Sequence, residues 1–482
     1  MEWATLLQPK RLRESSSVTK MSDDIRSDFK KDFDTVCNCT GIRRLQDKAQ
    51  VFPLEKEDYA RTRLTHSIEV MSIAESLGVA AVGVIATRMS TSPTMELVND
   101  IPVILRTAAL LHDMGNPPFG HLGEEIIGDW FKEYLPQLRF TKGEKVIFSK
   151  THSDDSERLL DLLSDQMKND LLHFEGNAQL LRLVTKLSYV VDDNGMNLSF
   201  PVLATIIKYP TSSNNISSDS LLTKKMGYMY AEMDIFNKIN QVLGLNGKRH
   251  PLVFLLEAAD DIAYLTADIE DAHKKGIINL NDIIKIFERQ NNDPFVSDVL
   301  NEYKKYEEKC SELQYTEHDN YIMQRLRIFL KGKMISAVKE AFNLYYDDIM
   351  NGTFAQELLS VSSAATIVSL IRNDIEYKHI YYCNSIIKTK LQSYEIIDSL
   401  LTKFVPCVFN AQTDKMADDK DTLLYALISS NYKYICEKKV SGLKYNSQDR
   451  IYNKLLLVTD YISGMTDTYA KDMFHLLTAN DI

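Results

Sequence analysis

Apolar residues recur at helical spacing along most of the chain from about Ile42 onward. Two runs show this pattern clearly, because most of their apolar residues lie three or four positions apart and share one helix face. These residues are Val70, Ile73, Ala74 and Leu77 in one run, and Ile104, Leu105, Ala108 and Leu111 in the other. Strand-like alternation of apolar and polar residues is scarce. The pattern therefore predicts an almost all-α protein.

Polar stretches predict the loops and the start of the chain. Residues 1–30 are polar, and we expect them to form an extended arm. Clusters of Gly, Pro, Ser, Asn and Asp are typical of loops. Such clusters occur at 90–94, 115–120, 192–199, 211–219 and 244–251. Beyond Gly276, charged helical runs continue to the C-terminus without a clear linker.

Composition narrows the class of protein. The 482 residues include only 18 Gly and 12 Pro, which leaves no room for long disordered or collagen-like tracts. The length exceeds one ordinary domain, so we expect a large core with an appended region. The net charge of −11 argues against a surface built throughout for nucleic acid. A polyanionic substrate would need local counter-charges from a metal ion, Lys or Arg.

Cysteine usage and the lengths of apolar runs predict the compartment. The six cysteines are scattered, and only Cys37 and Cys39 are close, at a spacing too tight for a usual zinc site. Reduced thiols are the expectation for such a pattern. Apolar stretches such as 79–86 are far shorter than the roughly 20 residues that span a bilayer. We expect a soluble cytoplasmic protein with no membrane partner.

Four residues have the type and helical placement that suit a divalent cation: His66, His112, Asp113 and Asp260. His112 and Asp113 close an apolar helical run, and His66 lies at the start of another helix. Asp260 lies on an apolar helix, where a carboxylate is costly to bury unless it is paired or binds a metal. Two imidazoles and two carboxylates leave open positions on an octahedral ion, which suits Mg²⁺, Mn²⁺ or Fe²⁺ better than structural zinc.

Simpler interpretations of the same residues stay open. A His-Asp pair alone is weak evidence, because His318 and Asp319 form a second pair in a polar run where we expect no function. Taken separately, His66 or Asp260 would more often be a structural residue. Asp260 and Asp261 point about 100° apart on a helix, so only one of them can face an ion.

Six segments in sequence order between about residues 40 and 470 carry a family resemblance. They are RRLQDKAQVFP at 43–53, RTRLTHS at 61–67, HDMGNPPFGH at 112–121, FEGNAQ at 174–179, ADDIAY at 259–264 and DYISGMTD at 460–467. Together these motifs resemble the deoxyguanosinetriphosphate triphosphohydrolases (dGTPases) of the HD superfamily. The resemblance implies that His66, His112, Asp113 and Asp260 are the metal ligands. Asn116 stands where many relatives have His, a difference that marks a branch of the family.

The resemblance also implies roles around the metal. His121 and Glu124, where i and i+3 side chains of a helix meet, are the implied proton-handling pair. Whether His121 is a general acid or a nucleophile stays open. Tyr264 and Asp268 continue a helical stripe from Asp260; the relatives' matching residues exclude a 2′-hydroxyl and accept the 3′-hydroxyl. Further implied substrate-binding residues are Gln50, Arg63, Asn177, Lys208 and Tyr209.

We therefore expect metal-assisted hydrolysis of dGTP at the α-phosphorus to deoxyguanosine and tripolyphosphate. We divide the chain into an N-terminal arm at 1–40, an HD-domain catalytic core at 41–275 and a C-terminal helical region at 276–482, which completes the core and the oligomer interface. The resemblance implies a hexamer with single-stranded DNA as an effector. Alternatives are a broad-specificity dNTPase, an HD nucleotide phosphatase, and, from another class, a catalytically inactive nucleic-acid-binding regulator.

Overall fold

The computed structural model describes most of the chain. The described residues are 1–13, 24–50, 61–89, 94–141, 144–149, 156–188, 194–313, 317–412 and 419–478. Most of the predicted loop at 90–94 and part of the predicted loop at 192–199 lie outside the described residues. The motif positions 51–53 lie wholly outside them.

Helices make up most of the described residues, which confirms the predicted fold class. They are α1 (Trp3–Leu6), α2 (Asp28–Cys37), α3 (Thr40–Arg44), α4 (Arg63–Arg88), α5 (Met95–Leu111), α6 (His121–Tyr134), α7 (Asp165–Leu172), α8 (Gly176–Arg182), α9 (Phe200–Ile206), α10 (Met233–Leu243), α11 (Pro251–Lys274), α12 (Leu280–Glu288), α13 (Pro294–Leu313), α14 (His318–Leu344), α15 (Tyr346–Asn351), α16 (Ala365–Ser369), α17 (Asn384–Asn410), α18 (Lys420–Leu427), α19 (Ser430–Val440), α20 (Gln448–Ser463) and α21 (Asp467–Thr478). Two segments, Leu183–Leu187 and Leu370–Ile380, are π-helical.

Three short strands form a small antiparallel sheet beside the helices. They are β1 (Leu138–Phe140), β2 (Val146–Phe148) and β3 (Glu157–Arg158), in the order β2-β1-β3. Leu138 pairs with Phe148, and Phe140 pairs with Val146 and Glu157. The strands are too short to show the alternation from which strands are predicted.

Helices α4, α5 and α11 form the centre of the core and pack against one another. Their contact faces carry the apolar stripes expected from the sequence, including Val70, Ile73, Ile104 and Leu105, which are all buried. Gly78 permits the close approach of α5, because a Cβ there would lie 2.8 Å from the Pro102 Cα atom. One end of this three-helix unit therefore holds several side chains in fixed positions.

Helix α4 is long and apolar enough to cross a membrane by length and composition alone. We expected no such segment from the length of uninterrupted apolar runs. The helix is this apolar because its apolar residues pack in the core: 56% of its most apolar 18-residue stretch is buried inside the protein. Long helices at the centre of a core are apolar on most of their surface.

The start of the chain differs from the extended arm that we expected for residues 1–30. Trp3 and Leu6 lie on α1 and are buried in the core. The Trp3 indole N–H donates to the hydroxyl of Tyr346 at 2.8 Å. Arg11 pairs with the buried Asp32 at 2.5 Å. The prediction was wrong for residues 1–13. Burial of two apolar side chains, Trp3 and Leu6, is enough to hold this segment on the core although its average composition is polar.

The C-terminal region packs onto the helices of the core. Helix α17 packs against α6 and α20. Buried Arg182 on α8 forms a two-pronged pair with Asp460 on α20, at 2.7 Å from each carboxylate oxygen. Such a forked, charge-assisted pair fixes orientation as well as distance. Residues far apart in sequence are thereby held around one site.

Candidate active site

Three segments bring the four predicted ligand residues together. Thr62 caps α4 by accepting a hydrogen bond from the Thr65 amide, which sets His66 on the first turn of the helix. Helix α5 ends at Leu111, with His112 as its C-cap residue and Asp113 next along the chain. The Asp260 Oδ1 atom on α11 lies 2.9 Å from His66 Nε2 and 3.5 Å from His112 Nε2.

Asp113 closes the same cluster from the other side. Its Oδ2 atom lies 3.6 Å from His112 Nε2. One donor atom from each of His66, His112 and Asp113 lies within 4.8 Å of the others. Adjacent ligands of an octahedral ion with bonds of about 2.1 Å are about 3 Å apart. The separations in this cluster are therefore of the size that a single small divalent cation requires.

The tautomer of His112 is consistent with a metal ligand. Its Nδ1 atom lies 2.7 Å from the Ala109 carbonyl oxygen, which accepts a hydrogen bond from that nitrogen. The remaining Nε2 atom is buried, and among the described residues it has no hydrogen-bond partner. Carboxylates that face this nitrogen favour a positive charge between them, either a proton on Nε2 or a metal ion in its place, and metal-binding imidazoles are commonly oriented by a carbonyl at the other nitrogen. The donor set thus fits a divalent ion.

The carboxylates of the cluster favour positive charge on the groups around them. Burial disfavours a charged imidazole, but the carboxylates of Asp113 and Asp260 outweigh it and raise the pKa of His112 to about 9. Burial also opposes ionisation of Asp113, yet Arg63 and the two histidines lower its pKa to about 2. Arg63 lies 2.9 Å from Asp113. The acids are therefore ionised at neutral pH.

A strained turn carries the chain from Asp113 to His121. Phe119 has φ +65° and Gly120 has φ +63°, so two successive residues adopt the left-handed region. A Cβ atom at position 120 would lie 2.1 Å from an Arg63 guanidinium nitrogen. The Phe119 amide donates to Asp467 Oδ1 at 2.9 Å, and the Ala49 amide donates to Asp467 Oδ2 at 2.9 Å. Asp467 on α21 therefore holds this turn.

His121 and Glu124 meet at the start of α6. His121 Nδ1 lies 3.0 Å from Glu124 Oε2, while the His121 side chain is 76% exposed and Glu124 is buried. The Glu124 carboxylate raises the pKa of His121. Burial would raise the pKa of Glu124, but His121 and Lys225 lower it to about 2. Glu124 therefore orients the His121 ring at Nδ1 and favours its protonated form.

A cavity of about 440 Å³ lies over these residues. Eight predicted site residues line it: Gln50, Arg63, Asp113, His121, Lys208, Asp260, Tyr264 and Asp268. A neighbouring cavity of about 540 Å³ shares His121, Leu122 and Lys390 with the first and includes Glu124. Four predicted site residues are absent from the described lining of the two cavities: His66, His112, Asn177 and Tyr209. Asn177 donates to Glu175 at 2.6 Å, and His66 and Tyr209 are buried.

The stripe on α11 runs from Asp260 along the cavity wall. Asp261, the adjacent acid, faces away from the histidines and pairs with Arg372 at 2.9 Å. Tyr264 accepts a hydrogen bond from Arg372 Nε at 2.9 Å. Asp268 is buried, its Oδ1 atom has no partner among the described residues, and burial raises its pKa well above the usual range. An unsatisfied buried oxygen at the end of a cavity is suited to a ligand hydroxyl.

The sequence did not indicate several residues at the site. Lys225 lies 2.6 Å from Glu175 and 3.4 Å from Glu124, while Lys390 and Tyr381 line the cavity from α17 and the segment before it. A Lys in a polar loop resembles any surface charge, so no local signal in the sequence pointed to Lys225. His318 and Asp319 lie at the start of α14, outside the cavity lining.

Comparisons with known proteins agree with this geometry. The HD domain family matches residues 63–180. The deoxyguanosinetriphosphate triphosphohydrolase-like protein of Listeria innocua serovar 6a is 41% identical over 481 residues, covering 99% of both chains. The deoxyguanosinetriphosphate triphosphohydrolase of Serratia proteamaculans is 30% identical over 95% of this chain and 94% of its own. That of Yersinia enterocolitica serotype O:8 is 30% identical over 94% of both.

The HD match covers His66, His112 and Asp113, whereas Asp260 lies beyond it. The full-length relatives extend the similarity across α11 and the C-terminal helices. Because these relatives match over nearly their whole length, the chain is a hydrolase that belongs to the deoxyguanosinetriphosphate triphosphohydrolase family of the HD superfamily.

Proposed function

We propose that this protein hydrolyses dGTP to deoxyguanosine and tripolyphosphate. The oxygen of water bonds to the α-phosphorus, the bond from that phosphorus to the 5′ oxygen breaks, and a proton ends on the 5′ oxygen. The convergence of His66, His112, Asp113 and Asp260 below a cavity lined by His121 is the observation that carries this proposal. The choice of dGTP as substrate follows the activity for which the relatives are named.

His66, His112, Asp113 and Asp260 would hold the divalent cation, which we propose to be Mg²⁺, Mn²⁺ or Fe²⁺. When bound, such an ion neutralises phosphate charge and polarises the phosphoryl group. Arg63 holds the Asp113 carboxylate at 2.9 Å and keeps it ionised and oriented. The Asn116 side-chain amide donates to the other Asp113 oxygen at 2.6 Å, which further fixes the carboxylate.

His121 acts as the general acid in this proposal. Glu124 raises its pKa, so the imidazolium persists to higher pH than for a free histidine. A protonated imidazole is suited to donating a proton to the departing 5′ oxygen and unsuited to nucleophilic attack. Glu124 accepts at Nδ1 and orients the ring, so the Nε2–H faces the cavity.

The remaining cavity residues divide between the nucleoside and the phosphates. In this proposal Tyr264 excludes a 2′-hydroxyl and Asp268 hydrogen-bonds the 3′-hydroxyl, which is supported by the position of both residues, and of Gln50, in the cavity lining. Lys208 supplies positive charge for the phosphates from the same wall. Contacts from Asn177 and Tyr209 remain predictions from the family resemblance.

The assembly and its regulation rest on the resemblance alone. We propose a cytoplasmic hexamer with single-stranded DNA as effector, in which the region at 276–482 completes the site and supplies the interface. Asp467 on α21, which holds the turn before His121, supports the first of these two roles. The division into an arm at 1–40 and a core at 41–275 remains part of this proposal.

The test is incubation of the purified protein with each dNTP and with GTP, in the presence of Mg²⁺ or Mn²⁺, followed by chromatography of the products. The proposal predicts deoxyguanosine and intact tripolyphosphate, and no products from His112→Ala purified in the same way. Release of single phosphates would identify a nucleotide phosphatase instead. Equal rates with all four dNTPs would identify a broad dNTPase, and no turnover of any nucleotide would favour the inactive regulator.

A further inference from the structure

The Arg372 guanidinium group is held at three of its nitrogens. Nε donates to the Tyr264 hydroxyl at 2.9 Å, one terminal nitrogen lies 2.9 Å from Asp261, and the other lies 2.9 Å from Glu357. A guanidinium is planar and presents its donors in a fixed fork. Contacts to three partners therefore fix the plane of the group and the position of the phenol oxygen that it contacts.

Arg372 acts on the cavity indirectly. Among the described residues, Tyr264 and Asp261 line the cavity, whereas Arg372 does not. Its guanidinium also lies 5.9 Å from the centroid of the Tyr264 ring. Arg372 thus contacts the hydroxyl of a residue that faces the ligand space, from behind the cavity wall.

The backbone that carries Arg372 is unusual. Arg372 lies in the π-helical segment Leu370–Ile380, and π-helical turns are rare and frequently occur at functional sites. Glu357 is itself oriented, because it accepts a hydrogen bond from the Ser360 hydroxyl at 2.9 Å. The segment, α11 and the region around residue 357 therefore meet at one side chain.

We propose that Arg372 is a positioning residue that fixes Tyr264 and thereby sets the discrimination between deoxyribonucleotides and ribonucleotides. A steric filter excludes a 2′-hydroxyl only while the excluding ring cannot move aside. Tyr264 has two side-chain torsions, and the Arg372 contact at its hydroxyl end restrains both. This inference rests on the proposed function, because it assigns the sugar position to Tyr264.

The experiment measures kcat/KM for dGTP and for GTP in the wild type, Arg372→Lys, Tyr264→Phe and the double variant. Arg372→Lys keeps the charge and loses the fork. Its expected effect is a fall of about tenfold or more in the ratio of dGTP to GTP, of the size that a lost positioning contact produces. Tyr264→Phe removes the hydroxyl through which Arg372 acts, so Arg372→Lys has little further effect in that background.

Arg327→Lys is the matched control. Arg327 bridges two carboxylates, Glu69 at 2.7 Å and Glu270 at 2.9 Å, with similar exposure and also against α11. Arg327→Lys should leave the ratio of kcat/KM for dGTP to that for GTP unchanged, within about twofold. If Arg372→Lys does not fold, Glu357→Gln loosens the same guanidinium and lowers the ratio in the same direction by a smaller amount.

Binding of non-hydrolysable dGTP and GTP analogues, measured by calorimetry in the same variants, separates this inference from the proposed function. A wild type that prefers the deoxy analogue but hydrolyses nothing contradicts the proposed function, while the variants still test Arg372 through the binding ratio. A ratio in Arg372→Lys equal to that of the wild type overturns the inference. Multiplicative effects of Arg372→Lys and Tyr264→Phe, or a wild type that binds both analogues alike, also overturn it.

Discussion

Asp467 accepts a hydrogen bond from the backbone amide of Phe119 at 2.9 Å, which joins the start of α21 to a residue in the left-handed conformation two positions before His121. Strained residues persist where surrounding contacts over-determine them. Asp467 uses its second oxygen on the Ala49 amide, next to Gln50. A residue near the C-terminus therefore fixes two walls of the cavity.

Replacing Asp467 with Asn should lower both stability and turnover. An amide has one acceptor oxygen, so one of the two amides held by Asp467 loses its partner inside the protein. Such a loss costs about 1–3 kcal/mol, measured by urea unfolding, and kcat for dGTP should fall as the His121 turn loosens. Asp472→Asn, an exposed position on α21, is the control. A kcat equal to that of the control would show that the turn before His121 keeps its conformation without Asp467.

Replacing Gly120 with Ala should inactivate the enzyme more than strain alone explains. The added Cβ lies 2.1 Å from Arg63 Nη2, on the guanidinium group whose other terminal nitrogen pairs with Asp113. Gly276 is the control, because its φ is +66° but a Cβ there meets nothing within 4 Å. Gly276→Ala should cost roughly 1–2 kcal/mol of stability from the left-handed backbone and leave activity intact. Equal activities of the two variants would rule out the Arg63 clash.

Replacing Glu124 with Gln should move the alkaline limb of the kcat profile to lower pH. Glu124 raises the pKa of His121, so in the wild type the imidazolium persists to higher pH. Without the carboxylate the pKa falls toward its ordinary value, and activity that needs protonated His121 is lost earlier as pH rises. The exposed neighbour variant Glu125→Gln should leave the limb in place. An unmoved limb in Glu124→Gln would exclude His121 as the acid.

The buried side chain of Lys48 should make the free energy of unfolding depend on pH. Its ammonium donates to the Asn116 carbonyl at 2.5 Å and the Ser463 carbonyl at 2.8 Å, and burial lowers its pKa to about 7. Above pH 7 the unfolded chain binds more protons at this residue than the folded one, so stability should rise with pH. From pH 7 to 9 the gain is about 1–3 kcal/mol. Urea unfolding of Lys48→Met should lack this rise; the same slope in both proteins would contradict it.

Local sequence pattern was sufficient for the central helices and for the expectation that only one of two adjacent acids would face the histidines, whereas the choice of Asp260 came from the family resemblance. Period-3.6 apolar spacing predicted α4 and α5, and the 100° separation of neighbouring helical residues predicted that only one of Asp260 and Asp261 would face the histidines. Arg372 and Asp467 could not be predicted in this way. Their partners at the site, Tyr264 and Phe119, lie 108 and 348 residues away in the sequence. Local residue spacing carries no information about contacts at such separations.

The most direct test of the central claim is titration of the metal-free protein with Mn²⁺ by calorimetry, in the wild type, Asp260→Asn and Asp261→Asn. The account predicts one tight site in the wild type, binding weakened by about tenfold or more in Asp260→Asn, and near-normal binding in Asp261→Asn, whose carboxylate faces Arg372. Wild-type affinity in Asp260→Asn would contradict the convergence of His66, His112, Asp113 and Asp260 on one ion.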